Sequence, residues 1–195
     1  MDYFNYDSKI KPSKGKLLIS EPFMNDTNFE RSVVLLCEHN EEGSFGFILN
    51  NPTQATLQDV MTRREEEVAP IDAPLFLGGP VEQNTLHFVH KYENIQGAIP
   101  ITRGVYWGGE FEEIMEPANG KEFNKKDFKF FLGYSGWGEN QLNEEIDAGS
   151  WIVSDHVDPI LIFHTHPEDM WKVVLKSLGG RFNIYSNYPV DPRYN

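Results

Sequence analysis

Short apolar runs alternate with polar breaks along this chain, and they predict about eight β-strands and four helices. The stretch at residues 32–40 is apolar at both alternating sets of positions until its end, which is typical of a central strand. The sequence EEGS then predicts a hairpin turn, after which the chain returns as a strand at residues 45–51. Further predicted strands include those at residues 97–109 (an edge strand broken by Pro100), 129–134 and 159–163.

The four helices are predicted from capping residues and amphipathic spacing at residues 56–68, 110–116, 140–149 and 167–178. Thr56 with Asp59 has the spacing of a capping box at the start of the first helix. Pro167 suits the first turn of the last helix, and Gly179 follows its end.

The order of these elements indicates the fold class. Strands occur in hairpin-like pairs before the first two helices, so the pattern predicts an α+β fold with a mostly antiparallel or mixed sheet. A chain of 195 residues fits one domain, which we place at residues 16–180. Residues 1–15 are predicted to be a flexible N-terminal arm, and residues 181–195 an irregular C-terminal tail.

Composition adds constraints on partners and compartment. With 30 acidic and 17 basic residues, the net charge of −13 argues against direct nucleic-acid binding. The densest basic patch, Lys121, Lys125, Lys126 and Lys129, is diluted by acidic neighbours. A single cysteine, no long apolar run and no apolar leader segment predict a cytoplasmic protein that does not enter the membrane.

The stretch GYSGW at residues 133–137 matches four of the five positions of the nucleophile elbow of α/β-hydrolases, with Ser135 as the serine. Acid and base candidates follow it in the order that those hydrolases use: Asp155 or Asp158, then His164 or His166. Against this reading, Trp137 occupies a position that favours a small residue, and the hairpin-rich first half does not suit a parallel hydrolase sheet. The alternative is a structural turn in which Ser135 has no catalytic role.

A second candidate nucleophile is Cys37, which shares a strand face with His39. The two Cβ atoms would lie about 6 to 7 Å apart, which is long for a thiolate–imidazole pair. The alternative is that Cys37 continues the apolar face of the strand as a small buried residue. A four-residue EEGS loop would place His39 opposite Gly46.

Metal and cofactor sites have weak support. The H-x-H spacing of His164 and His166 could bind a metal, with further ligands from Asp155, His156 or Glu168, but no second cysteine or helical histidine motif supports it. The glycine pairs at 78–79 and 108–109 lack phosphate-loop or dinucleotide spacing and are interpreted as turns. We therefore predict no metal and no cofactor.

Four segments together resemble the YqgE/AlgH family of bacterial proteins. They are RSVVLLCEHNEEGSFGFILNNP, LFLGGPV, LGYSGWGENQLNEEIDAGSW and PEDMWKVVLKSLGG, in the order in which the family has them. The resemblance implies a compact single domain with a bifurcated, partly barrel-like sheet surrounded by helices. It implies no catalytic residue or cofactor, and the name of one member implies a role in transcriptional regulation. The family commonly has alanine where this chain has Ser135, and it typically lacks a histidine at the position of His166.

The same resemblance singles out a set of polar residues and glycine turns. The glycines Gly78, Gly79, Gly133 and Gly136 are expected to shape structural turns. We predict a binding groove formed by Glu38, His39, Asn40, Asn50, Trp137 and Gln141. The leading interpretation is a non-enzymatic regulatory domain that binds a small ligand or a protein partner. The alternatives are a transcriptional regulator that acts through a protein partner, and a hydrolase that uses Ser135 or Cys37.

Overall fold

Ten strands and six helices form in residues 10–61, 73–115 and 123–188, which the computed structural model describes. The strands are β1 (Leu17–Ser20), β2 (Val33–Asn40), β3 (Gly43–Ile48), β4 (Pro52–Thr56), β5 (Pro74–Leu77), β6 (Val81–His90), β7 (Ile99–Thr102), β8 (Val105–Trp107), β9 (Phe128–Trp137) and β10 (Trp151–Ser154). The helices are α1 (Leu57–Met61), α2 (Phe111–Met115), α3 (Gln141–Asp147), α4 (Pro159–His164), α5 (Pro167–Ser177) and α6 (Phe182–Tyr185), with a 3-10 helix at Lys125–Asp127. The fold is α+β in one domain, as predicted, with more helices than the four expected.

The strands form one branched sheet in the order β10-β1-β2-β3-β9-β6-β8-β7, and every pair along this path is antiparallel. The branch arises at β9, because β5 also pairs with it in parallel and carries β4 on its other side. Within the described residues, the end strands β10 and β7 do not pair with each other, so the sheet is not closed into a barrel. The predicted bifurcated, mostly antiparallel sheet is confirmed.

The core lies on both faces of this sheet. β2 is central, as predicted, because its first five residues are buried between β1 and β3. The apolar cluster on one face includes Phe47, Phe131 and, from α5, Trp171, and all three side chains are buried. The opposite face packs Trp137 and Trp151 against α3. Each fully buried large apolar side chain contributes about 2 kcal/mol to folding, so these layers fix how β9 and the helices lie against each other.

Several local predictions are confirmed by the capping contacts. The Asp59 carboxylate accepts a hydrogen bond from the Thr56 backbone N–H (2.7 Å), which begins α1 as a capping box does. Pro167 is the first residue of α5, as its missing N–H favours. The rest of the predicted first helix, at 62–68, lies outside the described residues, as do Lys121, residues 1–9 and residues 189–195.

Three predictions are wrong, each for a physical reason. The stretch at 159–163 is helix α4 and not a strand, because the Asp158 carboxylate accepts from the N–H of Ile160 and Pro159 starts the helical turn. The single edge strand at 97–109 is instead a hairpin of β7 and β8, in which Pro100 pairs with Tyr106. The tail predicted to be irregular forms α6 before the described residues end.

The N-terminal boundary of the domain stays a prediction. Gly15, at the end of the predicted arm, is buried, and its N–H donates to the Leu36 carbonyl. No helix in the described part of the chain is both long enough and apolar enough to cross a membrane.

Candidate functional site

Ser135 lies inside β9 and not on an elbow between a strand and a helix. It pairs with Gly46 of β3, is fully buried, and donates its hydroxyl proton to the Gly78 carbonyl at 3.0 Å. Because β3 continues the pairing as far as Trp137, the glycines around Ser135 do not end the strand. The nucleophile-elbow interpretation is therefore wrong, and so is the predicted turn at Gly133 and Gly136, because residues 133–137 are part of β9.

The glycines of this region allow close backbone approach. A Cβ on Gly78 would lie 2.3 Å from the Gly133 carbonyl oxygen, and a Cβ on Gly79 would lie 2.3 Å from the Tyr134 carbonyl carbon. Gly133 also has a φ of +65°, which L-residues with a side chain rarely adopt. Gly136 is less restricted, since a Cβ there would first meet the Tyr134 ring at 3.3 Å.

Cys37 occupies a β-bulge and is buried in the core. Between Leu36 and Glu38 the β2–β3 register shifts, so His39 faces Ser44 and not Gly46 as predicted. Burial raises the pKa of the Cys37 thiol far above its usual range. A buried, protonated thiol is a poor nucleophile, so this geometry does not support a Cys37–His39 dyad.

Three of the six predicted groove residues line one cavity of about 460 Å³, at the β2–β3 turn: Glu38, Asn40 and Trp137. Their polar atoms serve local structure as well. The Asn40 side chain donates to Glu38 and accepts from the Glu42 N–H, which orders the turn. The Trp137 indole N–H donates to Glu145 at 2.9 Å.

The other three do not line this cavity. His39 Nδ1 is 2.7 Å from the Ser44 hydroxyl, and the Gln141 side chain accepts from the Gly138 N–H. Asn50 lies at the opposite end of the β2–β3 hairpin, where its amide bridges the Val33 N–H and the Arg31 carbonyl. The six residues thus do not share one groove, and ligand binding by Glu38, Asn40 and Trp137 stays a prediction.

The predicted histidine pair is separated by the junction between two helices. His164 ends α4, while His166 precedes α5 and is exposed. His164 Nε2 lies 2.9 Å from the Lys91 ammonium, and Asp158 caps α4. In the described ranges, no three His, Cys, Asp or Glu side chains are arranged to hold a metal ion.

A larger cavity, of about 660 Å³, opens between β4, β5, the start of β9 and the α4–α5 junction. We call it the lysine cleft, because Lys125, Lys126 and Lys129 line it. Its apolar walls come from aromatic and small residues, and its polar groups from threonines, Gln54 and His164. The lining residues used below are Lys125, Lys126, Lys129, Phe76, Phe163 and His164.

Lys129 is the unusual member of the cleft, because only 6% of it is exposed. Its ammonium lies 4.3 Å from the centre of the Phe76 ring and donates to the Ile162 carbonyl at 3.1 Å. Within the described part of the chain, no carboxylate forms an ion pair with it. Burial without a counter-ion lowers the pKa of Lys129 from 10.5 to about 7.

A network of four polar side chains lies beside the cleft. Lys91 donates to Asp127 at 2.7 Å and also contacts His164, and the Tyr92 hydroxyl donates to Asp127 at 3.0 Å. Burial acts to raise the pKa of Asp127, but the hydrogen bonds from Lys91 and Tyr92 outweigh it and lower that pKa overall. Asp127 is therefore already paired with Lys91, and no ion pair joins it to Lys129.

Lys129 is a functional candidate that belongs to no motif in the sequence. The signal in the sequence is a lysine between two phenylalanines in FKFF, two residues from the core residue Phe131 and thus on the same strand face. A lysine on the same strand face as core residues can extend its charged end to solvent, or it can bury its amine in the protein. The alternation pattern cannot distinguish these two cases.

The AlgH-like family model (DUF179) matches residues 17–183 of the chain. A UPF0301 protein of Cytophaga hutchinsonii is 45% identical over 185 residues, which cover 94% of this chain and 99% of the relative. A UPF0301 protein of Bacteroides thetaiotaomicron is 41% identical over 198 residues, covering 100% of this chain and 97% of the relative.

Two solved structures are also similar. The solution structure of AlgH from Pseudomonas aeruginosa has a TM-score of 0.71 and 25% identity, covering 93% of this chain and 97% of that one. The crystal structure of protein DIP2367 from Corynebacterium diphtheriae has a TM-score of 0.74 and shares the fold at 24% identity, covering 95% and 97% of the two chains. Since the family model and these relatives span nearly the whole sequence, the chain belongs to the AlgH-like UPF0301 family.

Proposed function

We propose that this protein is a non-enzymatic regulatory domain that binds a small anionic molecule in the lysine cleft. The observation that carries the proposal is the Lys129 ammonium, which is buried with no anionic partner among the described residues. Buried charges in proteins are usually paired, because desolvation of an isolated ion is costly. An anionic ligand would supply the missing counter-ion.

The shape and chemistry of the cleft support a small molecule as the ligand. A volume of about 660 Å³ falls within the range of small-molecule sites, and the walls combine aromatic rings with a few polar groups. Phe76 and Phe163 offer apolar contact for the body of a ligand. The preferred ligand would therefore carry an anionic group on an apolar or aromatic body.

Local charge also favours an anion at this place. The chain as a whole carries a net charge of −13, which repels anions from most of its surface. The lysine cleft gathers Lys125, Lys126 and Lys129 in one concave site. Asp127, which follows Lys126 in the chain, pairs with Lys91 and not with Lys129. In a regulatory role, a protein partner would recognise the cleft with its ligand bound. Nucleic acid is not the expected partner, because the net charge argues against direct contact with it.

The test uses benzenesulfonate, because its single negative charge does not change between pH 5 and 9. At pH 6 and constant ionic strength, we expect it to raise the thermal unfolding temperature in a saturable way. The Lys129→Met variant should lose this response, whereas Lys176→Met, which removes an exposed lysine of α5, should keep it. An equal response in the wild type and Lys129→Met, or no saturable response in the wild type, would contradict the proposal.

The same measurement should depend on pH. Lys129 loses its proton above about pH 7, so we expect benzenesulfonate to bind roughly tenfold or more weakly at pH 8.5 than at pH 6. His164, Lys125 and Lys126 also line the cleft, so the comparison with Lys129→Met isolates the contribution of Lys129. An affinity that stays constant across this range would argue against Lys129 as the anion-binding group.

A further inference from the structure

The amine of Lys129 has the surroundings of a nucleophilic lysine as well as those of an anion-binding one. It borders a cavity large enough for a small molecule, it is shielded from water, and two further lysines stand on the same cavity. Desolvation in an apolar pocket and proximity to other cations are the two ways in which lysines become nucleophiles at neutral pH. Each of these two effects lowers the pKa of a lysine, so that more of it is the neutral amine at neutral pH.

The neutral fraction of this amine is large. With a pKa of about 7, roughly half of Lys129 is unprotonated at pH 7, which is about a thousandfold more than for an ordinary lysine. A neutral amine adds to carbonyl compounds. Since the cleft also favours anions, its chemistry selects molecules that carry both an anionic group and a carbonyl.

We propose that Lys129 captures an anionic aldehyde or ketone in the lysine cleft as a reversible imine. This inference rests on the proposed function, because it assigns the ligand class of the same site. The product is a covalently held ligand, which hydrolysis releases unchanged.

The reaction balances without an oxidant or a reductant. The lone pair of Lys129 Nζ attacks the carbonyl carbon, a C–N bond forms, and the carbonyl oxygen takes up the two amine protons and leaves as water. The C–N bond thereby becomes C=N. Uptake of one proton from solvent then gives the imine nitrogen an N–H, which can donate to the Ile162 carbonyl that accepts from Nζ in the free protein. The positive charge of that protonated imine would lie over the Phe76 ring, where the ammonium lies now.

The experiment uses 4-formylbenzenesulfonate, with cyanoborohydride to trap the imine, and peptide mass mapping to locate the adduct. We expect Lys129 to be labelled at least about tenfold faster than the exposed Lys176 at pH 7. This ratio is smaller than the difference in neutral fraction given above, because the amine of Lys129 is less basic and is buried. Benzaldehyde, which lacks the anionic group, should show a smaller preference for Lys129. Excess benzenesulfonate should suppress labelling at Lys129 and leave Lys176 unaffected.

The pH profile gives a second readout. The labelling rate at Lys129 should rise from pH 6 and level off near pH 8, whereas the rate at Lys176 should keep rising. The titratable groups lining the cleft beside Lys129 are Lys125, Lys126 and His164, and Asp127 on the 3-10 helix is paired with Lys91. Repeating the profile in His164→Gln separates any contribution of the histidine from that of Lys129.

Two outcomes would overturn the imine. One is labelling of wild-type Lys129 no faster than that of Lys176. The other is a Lys129→Arg variant whose total adduct yield equals that of the wild type. The wild-type mapping decides the first point even if Lys129→Arg fails to fold. If benzenesulfonate still raises the unfolding temperature through Lys129 while no imine is trapped, the anion site stands and the covalent step alone is refuted.

Discussion

Ser135 and Lys129 both place a buried polar group on β9, but only the serine hydroxyl is fully satisfied by its partner in the fold. The Ser135 hydroxyl donates to the Gly78 carbonyl and ties β9 to the turn after β5. Lys129 has a carbonyl and an aromatic face as partners but no counter-ion among the described residues. A satisfied hydroxyl contributes to stability, whereas an uncompensated ammonium costs stability and points to a ligand.

We expect Ser135→Ala to lower the free energy of unfolding by about 1 kcal/mol, because one buried hydrogen bond is lost. The loss should be no larger, since the Gly78 carbonyl keeps its bond from the Ile48 N–H. Urea denaturation measures the change, and the benzenesulfonate response should be retained. Loss of that response in a folded Ser135→Ala protein would show that Ser135 belongs to the binding machinery.

One carboxylate of helix α3 binds two tryptophans of the sheet. Glu145 accepts hydrogen bonds on the same oxygen from the indole N–H groups of Trp137 and Trp151, at 2.9 and 2.8 Å. Trp137 ends β9 and Trp151 begins β10, so this contact holds the ends of two strands that are not neighbours in the sheet. Both tryptophans are buried, whereas Glu145 is half-buried.

We expect Glu145→Ala to destabilise the fold by about 3 kcal/mol, because two buried indole N–H groups lose a charged acceptor. Glu145→Gln retains one acceptor oxygen and should cost less. Glu144→Ala, at an exposed neighbouring position, is the matched control, with an expected change under about 0.5 kcal/mol. Guanidinium denaturation followed by tryptophan fluorescence compares the three variants, and equal destabilisation by Glu144→Ala and Glu145→Ala would contradict the assignment.

Across the whole molecule, the buried lysine couples folding stability to pH. The folded-state pKa of Lys129 is about 7, against 10.5 in the unfolded chain, so between these values the unfolded chain binds a proton that the folded protein does not. The free energy of unfolding therefore rises with pH across this window through Lys129. Below about pH 7 both states are protonated, and the contribution is constant at its least favourable value.

We expect Lys129→Met to be more stable than the wild type at pH 6, by an amount on the order of a few kcal/mol. That advantage should shrink as the pH rises from 7 to 9.5. Urea denaturation in buffer free of phosphate and sulfonate measures it, and subtraction of the two proteins removes all other titrations. A difference that does not change with pH would mean that the amine is not desolvated as the structure indicates.

Much of the fold follows from local spacing in the sequence. The two-sided apolar run of β2 and the turn after it predict the central hairpin, and the Thr56–Asp59 pair and Pro167 predict two helix starts. These features depend on residues within about four positions of each other. Backbone sterics, capping and periodicity act at that range, so they can be read directly from the order of residues.

The candidate site depends on contacts between residues far apart in the chain. Apolar runs as short as that of α4 suit a helix or a strand equally, and only the packed structure distinguishes the two. The continuation of β9 through Ser135 requires β3 as its partner. The pKa of Lys129 depends on Phe76 from β5 and Ile162 from α4, which close over the amine without supplying a carboxylate. Sequence alone places a lysine on a strand, but burial, which arises only when these elements pack together, determines whether it is a solvated charge or a reactive amine.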